Sequence, residues 1–286
     1  MTNEAAVLRG VQKRYKDFTL GPVDLTVPAG TIVGLVGENG AGKTTTLKLL
    51  CGVNPADAGE ITLLGSQPSD PAARARLGVV FEDAYFYGGL NAEQIGKSMS
   101  GIFAAAWDAP AYADLLQRFG LDAHKKVSEY SRGMRMKLSL TTALAHKPDL
   151  LVLDEATAGL DPVVRSEMLD LFLEFIQDEG HSILMSSHIT SDLEQVADSI
   201  AYLHHGKLLF HEDKDALLQE YGLLRCSRAQ LEKLPAGTVV HTRESAFGCE
   251  SLVKGRGEVQ HLLPEAICDP ASIDDIMRFY SGRDAQ

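Results

Sequence analysis

The chain is 286 residues long, 45% hydrophobic and 23% charged, the proportions of a globular protein large enough to bury its own core. Its 27 Lys+Arg against 39 Asp+Glu give a formal net charge of −12, which argues against nucleic acid as a partner, because neutralising a phosphate backbone needs clustered cations. No stretch approaches the ~18 uninterrupted apolar residues of a membrane span, the polar, acidic start at Met1-Thr2-Asn3-Glu4 is unlike a signal peptide, and Cys51, Cys226, Cys249 and Cys268 fit no CxxC or metal spacing, so a cytosolic protein with free thiols is expected.

Residues 5–36 read as short strands. Val23-Asp24-Leu25-Thr26-Val27 alternates apolar and polar side chains like a half-exposed strand, Pro28-Ala29-Gly30 makes a turn, and 31–36 is an apolar run suited to a buried strand. Glycines then crowd 37–42, and a helix is predicted from 43 to about 51; strand, glycine-rich loop and helix in that order open a βαβ unit. The pattern from 91 to 121 is helical, with 92–106 and 111–119 separated by Pro110, and a further helix runs from 131 to about 145, stopped by Pro148. Leu150-Leu151-Val152-Leu153, ending in two acids, suits a central parallel strand. A helix over 163–177, a buried strand over 182–186 and a hairpin over 200–210 turning at Gly206 follow. Beyond about 222 the runs shorten between Gly237, Gly248, Gly255, Gly257 and Pro264. The expected division is therefore a domain over 1–221, with a helical subdomain at about 91–146, and a small β-rich accessory domain over 222–286 that closes with a helix near 272–280.

Gly37-Glu38-Asn39-Gly40-Ala41-Gly42-Lys43-Thr44 matches G-x-x-x-x-G-K-[ST]. Glycines let the backbone wrap phosphates with its N–H groups inward, at the positive end of the following helix. Lys43 is expected to reach the β- and γ-phosphates and the Thr44 hydroxyl to ligate Mg²⁺, with Asn39, Gly40, Gly42 and Thr45 in the same nucleotide-binding set. Asp154 and Glu155 close an apolar strand, where the crevice of an α/β sheet lies. Asp154 is expected in the Mg²⁺ shell, and Glu155 is placed to polarise a water for attack on the γ-phosphate.

With these elements the chain resembles the nucleotide-binding ATPase subunit of an ABC transporter over about residues 5–220, and among these the bacterial ABC-2-type drug and peptide exporters. The resemblance implies a P-loop NTPase α/β fold: a parallel sheet, an antiparallel β subdomain and a helical subdomain. It makes Tyr130-Ser131-Arg132-Gly133-Met134 a degenerate copy of the family signature LSGGQ, keeping the serine and second glycine, so that Ser131 and Gly133 would meet the γ-phosphate held by the other subunit of a head-to-tail dimer. By the same resemblance Asp161, in Ala158-Gly159-Leu160-Asp161-Pro162, belongs to a loop crossing that dimer interface, and His188 is the switch histidine that orders Glu155. Tyr15 is the aromatic that stacks on adenine, and Glu82 stands where the family usually has a glutamine that touches Mg²⁺. The aromatics Tyr85-Phe86-Tyr87 would border the groove for the membrane subunit.

The implied protein binds ATP and Mg²⁺, pairs with itself or a related ATPase subunit, and lies in the cytoplasm against the inner face of the membrane, driving export through a separate permease. Two other readings stay open: an assembly-type ABC ATPase coupled to no membrane, and a regulatory subunit that binds nucleotide without turnover.

Overall fold

The computed structural model describes residues 4–82, 86–245 and 248–282. Two long strands, β1 (Glu4–Arg14) and β2 (Thr19–Pro28), lead to β3 (Ile32–Val36), helix α1 (Lys43–Leu50) and β4 (Ala58–Leu63). A short α2 (Pro71–Arg74) precedes β5 (Leu77–Val80), after which come α3 (Ala92–Phe103), α4 (Ala109–Arg118) and α5 (Arg132–Leu144). The chain then alternates β6 (Leu150–Asp154), α6 (Pro162–Phe175), β7 (Ser182–Ser187) and α7 (Thr190–Val196) before the hairpin β8 (Ser199–His204) and β9 (Lys207–Asp213). The last part is α8 (Lys214–Glu220), β10 (Tyr221–Cys226), α9 (Arg228–Leu231), β11 (Val239–Ser245), β12 (Gly248–Lys254), α10 (Arg256–Leu262), β13 (Ile267–Pro270) and α11 (Ile273–Ser281).

The central sheet runs β5-β6-β7-β3-β8-β9, parallel except for β9. Every residue of β3, β6 and β7 is buried, the pattern of parallel strands covered on both faces. A second sheet, β2-β1-β4, is antiparallel, and β2 alternates buried and open positions as its sequence predicts. This is the α/β architecture expected, with α3, α4 and α5 standing after β5.

Two local differences from the sequence reading have plain causes. Pro110 does not separate helices; it sits in the first turn of α4, where a missing N–H costs nothing, and Asp108 caps that turn by accepting from the Ala111 N–H at 2.9 Å. The helix expected to reach 106 stops at Phe103, because Ala104 takes φ +48°, and a 3₁₀ turn covers Ala104–Ala106.

Residues beyond 220 form an antiparallel sheet, β11-β12-β10-β13, in keeping with a β-rich reading, but carry α9 and α10 as well as the closing helix. Both are short, and α10 starts from Gly255 in the left-handed region, so neither leaves an apolar period long enough to read. One side of this region has a small core of Leu224, Val253, Val259, Leu263 and Ala266. The other side, through Tyr221, Ile276 and Phe279, joins the core that also holds Leu193 and Tyr202. All four cysteines are free. Among the described residues no helix is long and apolar enough to cross a membrane.

Candidate active site

The glycine-rich loop leaves the C-terminal end of β3 and turns into α1 at Gly42. With φ +111°, Gly42 adopts a backbone that side chains disfavour, and a Cβ there would lie 2.8 Å from Leu20 Cδ1 and 3.0 Å from Phe18 Cζ. As a glycine it offers no side-chain cap, so the first N–H groups of α1 stay open to a ligand.

Lys43, only 5% exposed, donates from Nζ to the carbonyls of Gly37 (2.7 Å) and Glu38 (3.3 Å) and pairs with Glu155 Oε1 at 3.2 Å. A buried ammonium is tolerable only when satisfied in this way.

Glu155 follows β6 directly and has φ +51°, a left-handed backbone that costs about 1–3 kcal/mol for a non-glycine residue. The strain is held by contacts to Ser186 and His188 as well as the pairing with Lys43. Its N–H donates to Ser186 O at 3.1 Å, and its Oε2 accepts from the His188 N–H at 3.2 Å and lies 2.7 Å from His188 Nδ1. Asp154, the neighbouring acid, is paired in register with Ser186 and accepts the Ser186 hydroxyl at 2.6 Å. The two acids thus part company: Asp154 turns toward β7, and Glu155 links Lys43 to His188.

A cavity of about 570 Å³ gathers these groups, lined by Phe18, Glu38, Asn39, Gly40, Gly42, Lys43, Thr44, Thr45, Glu82, Glu155 and His188. Most sequence-predicted residues therefore meet at one place. Tyr15 does not line the cavity; it is 44% exposed and stacks at 6.4 Å on Phe18, which is the aromatic that faces in. Ser131, Gly133 and Asp161 also lie elsewhere. Ser131 caps α5 by accepting from the Met134 N–H at 3.2 Å, Gly133 is in the first turn of the same helix, and Asp161 caps α6 through Val163 N (3.2 Å) and Val164 N (3.1 Å). Tyr85 is outside the described residues.

No sequence motif marks Phe18 or Ser186 as part of the site. Phe18 had a signal in its closeness to Tyr15, and Ser186 in the polar pair that ends an apolar strand just before His188.

The donor set fits a Mg²⁺ ion bound together with nucleotide. Among the described residues no group of three or more His, Cys, Asp or Glu is placed to hold a metal alone. Mg²⁺ characteristically takes one or two carboxylates and completes its shell with water and phosphate oxygens; Thr44 and Glu82 line the cavity, whereas the buried Asp154 is outside its lining and is bonded to the Ser186 hydroxyl.

Comparison with known proteins agrees with this geometry. Residues 20–158 match the ABC transporter family. An ABC transporter ATP-binding protein of Synechocystis is 37% identical over 206 residues, 70% of this chain, and the chain spans 58% of that relative's length. A bacitracin transport ATP-binding protein of Bacillus licheniformis is 34% identical over 215 residues, covering 73% of this chain and 67% of the relative. A fluoroquinolones export ATP-binding protein of Mycobacterium tuberculosis is 33% identical over 213 residues, covering 72% of this chain and 70% of the relative. Among solved structures, an ATP-binding subunit of an ABC transporter superposes with a TM-score of 0.68 at 26% identity, over 74% of this chain and 91% of that one. Fold, loop, cavity and kinship agree: the chain belongs to the ATP-binding proteins of the ABC transporter family.

Proposed function

We propose that this chain hydrolyses ATP to power a separate membrane permease that exports drugs or peptides. The observation that carries the reading is a chain of contacts in which the buried Lys43 and Glu155 pair with each other and Glu155 with the exposed His188, all three lining one glycine-rich cavity. ATP enters with its phosphates against the loop 37–42 and the open N–H groups of α1. Lys43 Nζ exchanges the Gly37 and Glu38 carbonyls and Glu155 for the β- and γ-phosphates, which frees the Glu155 carboxylate. That carboxylate takes a proton from a water as its oxygen bonds to the γ-phosphorus, the bond from that phosphorus to the β–γ bridging oxygen breaks, and ADP and phosphate leave. His188 fixes the Glu155 carboxylate through Oε2, so that the base arrives oriented. Mg²⁺, when bound, neutralises phosphate charge; Thr44, Asp154 and Glu82 are the residues that would hold it.

Ser131, Gly133 and Asp161 stand outside the cavity and serve a second copy. In a head-to-tail dimer the N-terminus of α5 faces the partner's nucleotide, two ATP molecules are enclosed, and hydrolysis reopens the pair. Phe18, stacked by Tyr15, offers a platform for adenine.

The permease docks beside α3, where a largely apolar cleft of about 440 Å³ is lined by Phe86, Met99, Ile102, Phe103 and His146. We assign residues 1–221 to the ATPase and 222–286 to an accessory unit packed on it, and place the protein on the cytoplasmic face of the membrane. The names of relatives, one referring to bacitracin transport and one to fluoroquinolones export, support this substrate class, and the second supports the direction. Inside-out vesicles carrying the cognate complex test the whole: ATP-driven uptake of such a compound is expected, and uptake into intact cells instead contradicts export.

A further inference from the structure

Glu82 adds a carboxylate to a cavity that takes polyphosphate. It lines that cavity with Glu38 and Glu155, and Lys43 is the lone Lys or Arg among the described lining residues. An extra negative charge there opposes an anionic ligand. The counter-charge comes from outside: Arg132 Nη2 lies 3.1 Å from Glu82 Oε1, with both side chains 42% exposed.

Helix stability does not account for an arginine at this position. Arg132 is the first residue of α5, where the helix dipole disfavours a cation, and Ser131 already caps that end. Its guanidinium packs closely against Gly159, since a Cβ there would sit 2.9 Å from Arg132 Nη1, 3.1 Å from Cζ and 3.4 Å from Nε. Gly159 belongs to the turn that starts at Glu155, where the Ala158 N–H donates to Glu155 O at 3.1 Å. One side chain therefore spans the start of α5, the segment after β5 that carries Glu82, and the turn after β6 that carries Glu155.

We propose that Arg132 is a positioning residue of the nucleotide cavity: it holds the Glu82 carboxylate at the rim and offsets its charge, so that nucleotide affinity depends on the pair and not on either residue alone. An exposed pair contributes little to folding, so its effect falls on the ligand. This rests on the assignment of the cavity to ATP.

The test is a double-mutant cycle on nucleotide binding. Wild type, Arg132→Ala, Glu82→Gln and the double variant are titrated with a fluorescent ATP analogue, with and without Mg²⁺, at low and high salt, with thermal unfolding measured alongside. Arg132→Ala is expected to weaken binding about 3–10-fold at low salt, an effect that high salt largely removes. The double variant is expected to bind within about twofold of Glu82→Gln, and Arg132→Lys to recover part of the loss without a change in melting temperature. An equal loss from Arg132→Ala whether Glu82 is present or replaced overturns the proposal, since Arg132 then acts on the ligand directly. Wild type that binds and an Arg132→Ala variant that binds equally well overturn it too. Failure of wild type to bind the analogue overturns the ATP assignment itself.

Discussion

At the scale of single residues, Gly42 and His146 show how the backbone and the solvent set what a position tolerates. Gly42→Ala puts a Cβ against Leu20 and Phe18 at a φ of +111°. The variant is expected to lose about 1–3 kcal/mol of stability and at least tenfold in ATP affinity, read by thermal unfolding and by nucleotide titration. His146 is 4% exposed, stacks at 4.0 Å on Phe103, and bonds through Nε2 to Leu77 O at 3.1 Å. Burial holds its pKa below the ordinary 6.5, because desolvation disfavours the imidazolium. A depressed folded-state pKa means the unfolded chain binds the proton more tightly. Stability from this group is therefore present above about pH 6.5 and is lost as pH falls through the folded value. His211, half-buried, is shifted the same way by desolvation. Melting temperature is expected to fall between pH 7 and pH 5, with a shallower slope in His146→Gln.

The phosphate loop, Asp154-Glu155 and His188 were legible as residues because each sits at a strand end that an apolar run announces. Phe18, Ser186 and the Glu82–Arg132 pair were not. Their roles come from contacts between segments far apart in sequence, such as Asp154 with Ser186 and Glu82 with Arg132.

Among the elements, α7 carries the consequence of His188's position, because it starts almost directly after that residue. It is tied on one side by Arg165 of α6, which pairs with Asp192, and on the other by Glu194, which accepts from the Ile273 N–H of α11 at 2.8 Å. Asp192 is 1% exposed, so removing its partner strands a buried charge. Arg165→Ala is expected to cost roughly 1–3 kcal/mol in chemical unfolding, less than a fully buried pair because Arg165 is partly open to water. Adding Asp192→Asn is expected to recover part of this loss; no recovery would mean the pair is not what holds α7.

On α3, Ile102 is 70% exposed beside the cleft assigned to the permease. Ile102→Glu is expected to leave ATP binding and melting temperature unchanged and to abolish co-purification with the permease.

The strands of the central sheet were legible because β3, β6 and β7 each hold an unbroken apolar stretch of the kind that parallel sheets demand. Helix ends were less so. Pro110 reads as a breaker in a string of letters, and becomes a first-turn residue only when Asp108 is seen to cap the helix. The short α9 and α10 were hidden because their packing on the last sheet, not their own period, makes them helices.

For the molecule as a whole, the net charge is −12, and among the described residues no helix is long and apolar enough to cross a membrane. The charge is no obstacle to ATP in the binding mode proposed above, where the phosphates meet Lys43 and the N–H groups of α1 locally. The part beyond residue 220 does more than hang from the ATPase: Tyr221, Ile276 and Phe279 share the main core, and the Tyr202 hydroxyl bonds to Met277 O at 3.4 Å.

The central claim is that Glu155 in this cavity drives ATP hydrolysis within a dimer. The direct measurement is steady-state ATPase activity against protein concentration, for wild type and Glu155→Gln, with ATP binding followed in parallel. The account predicts that wild-type specific activity rises with concentration as dimers form. It predicts a loss of about 10²–10⁴-fold in Glu155→Gln with ATP still bound. Hydrolysis by Glu155→Gln at the wild-type rate would contradict it.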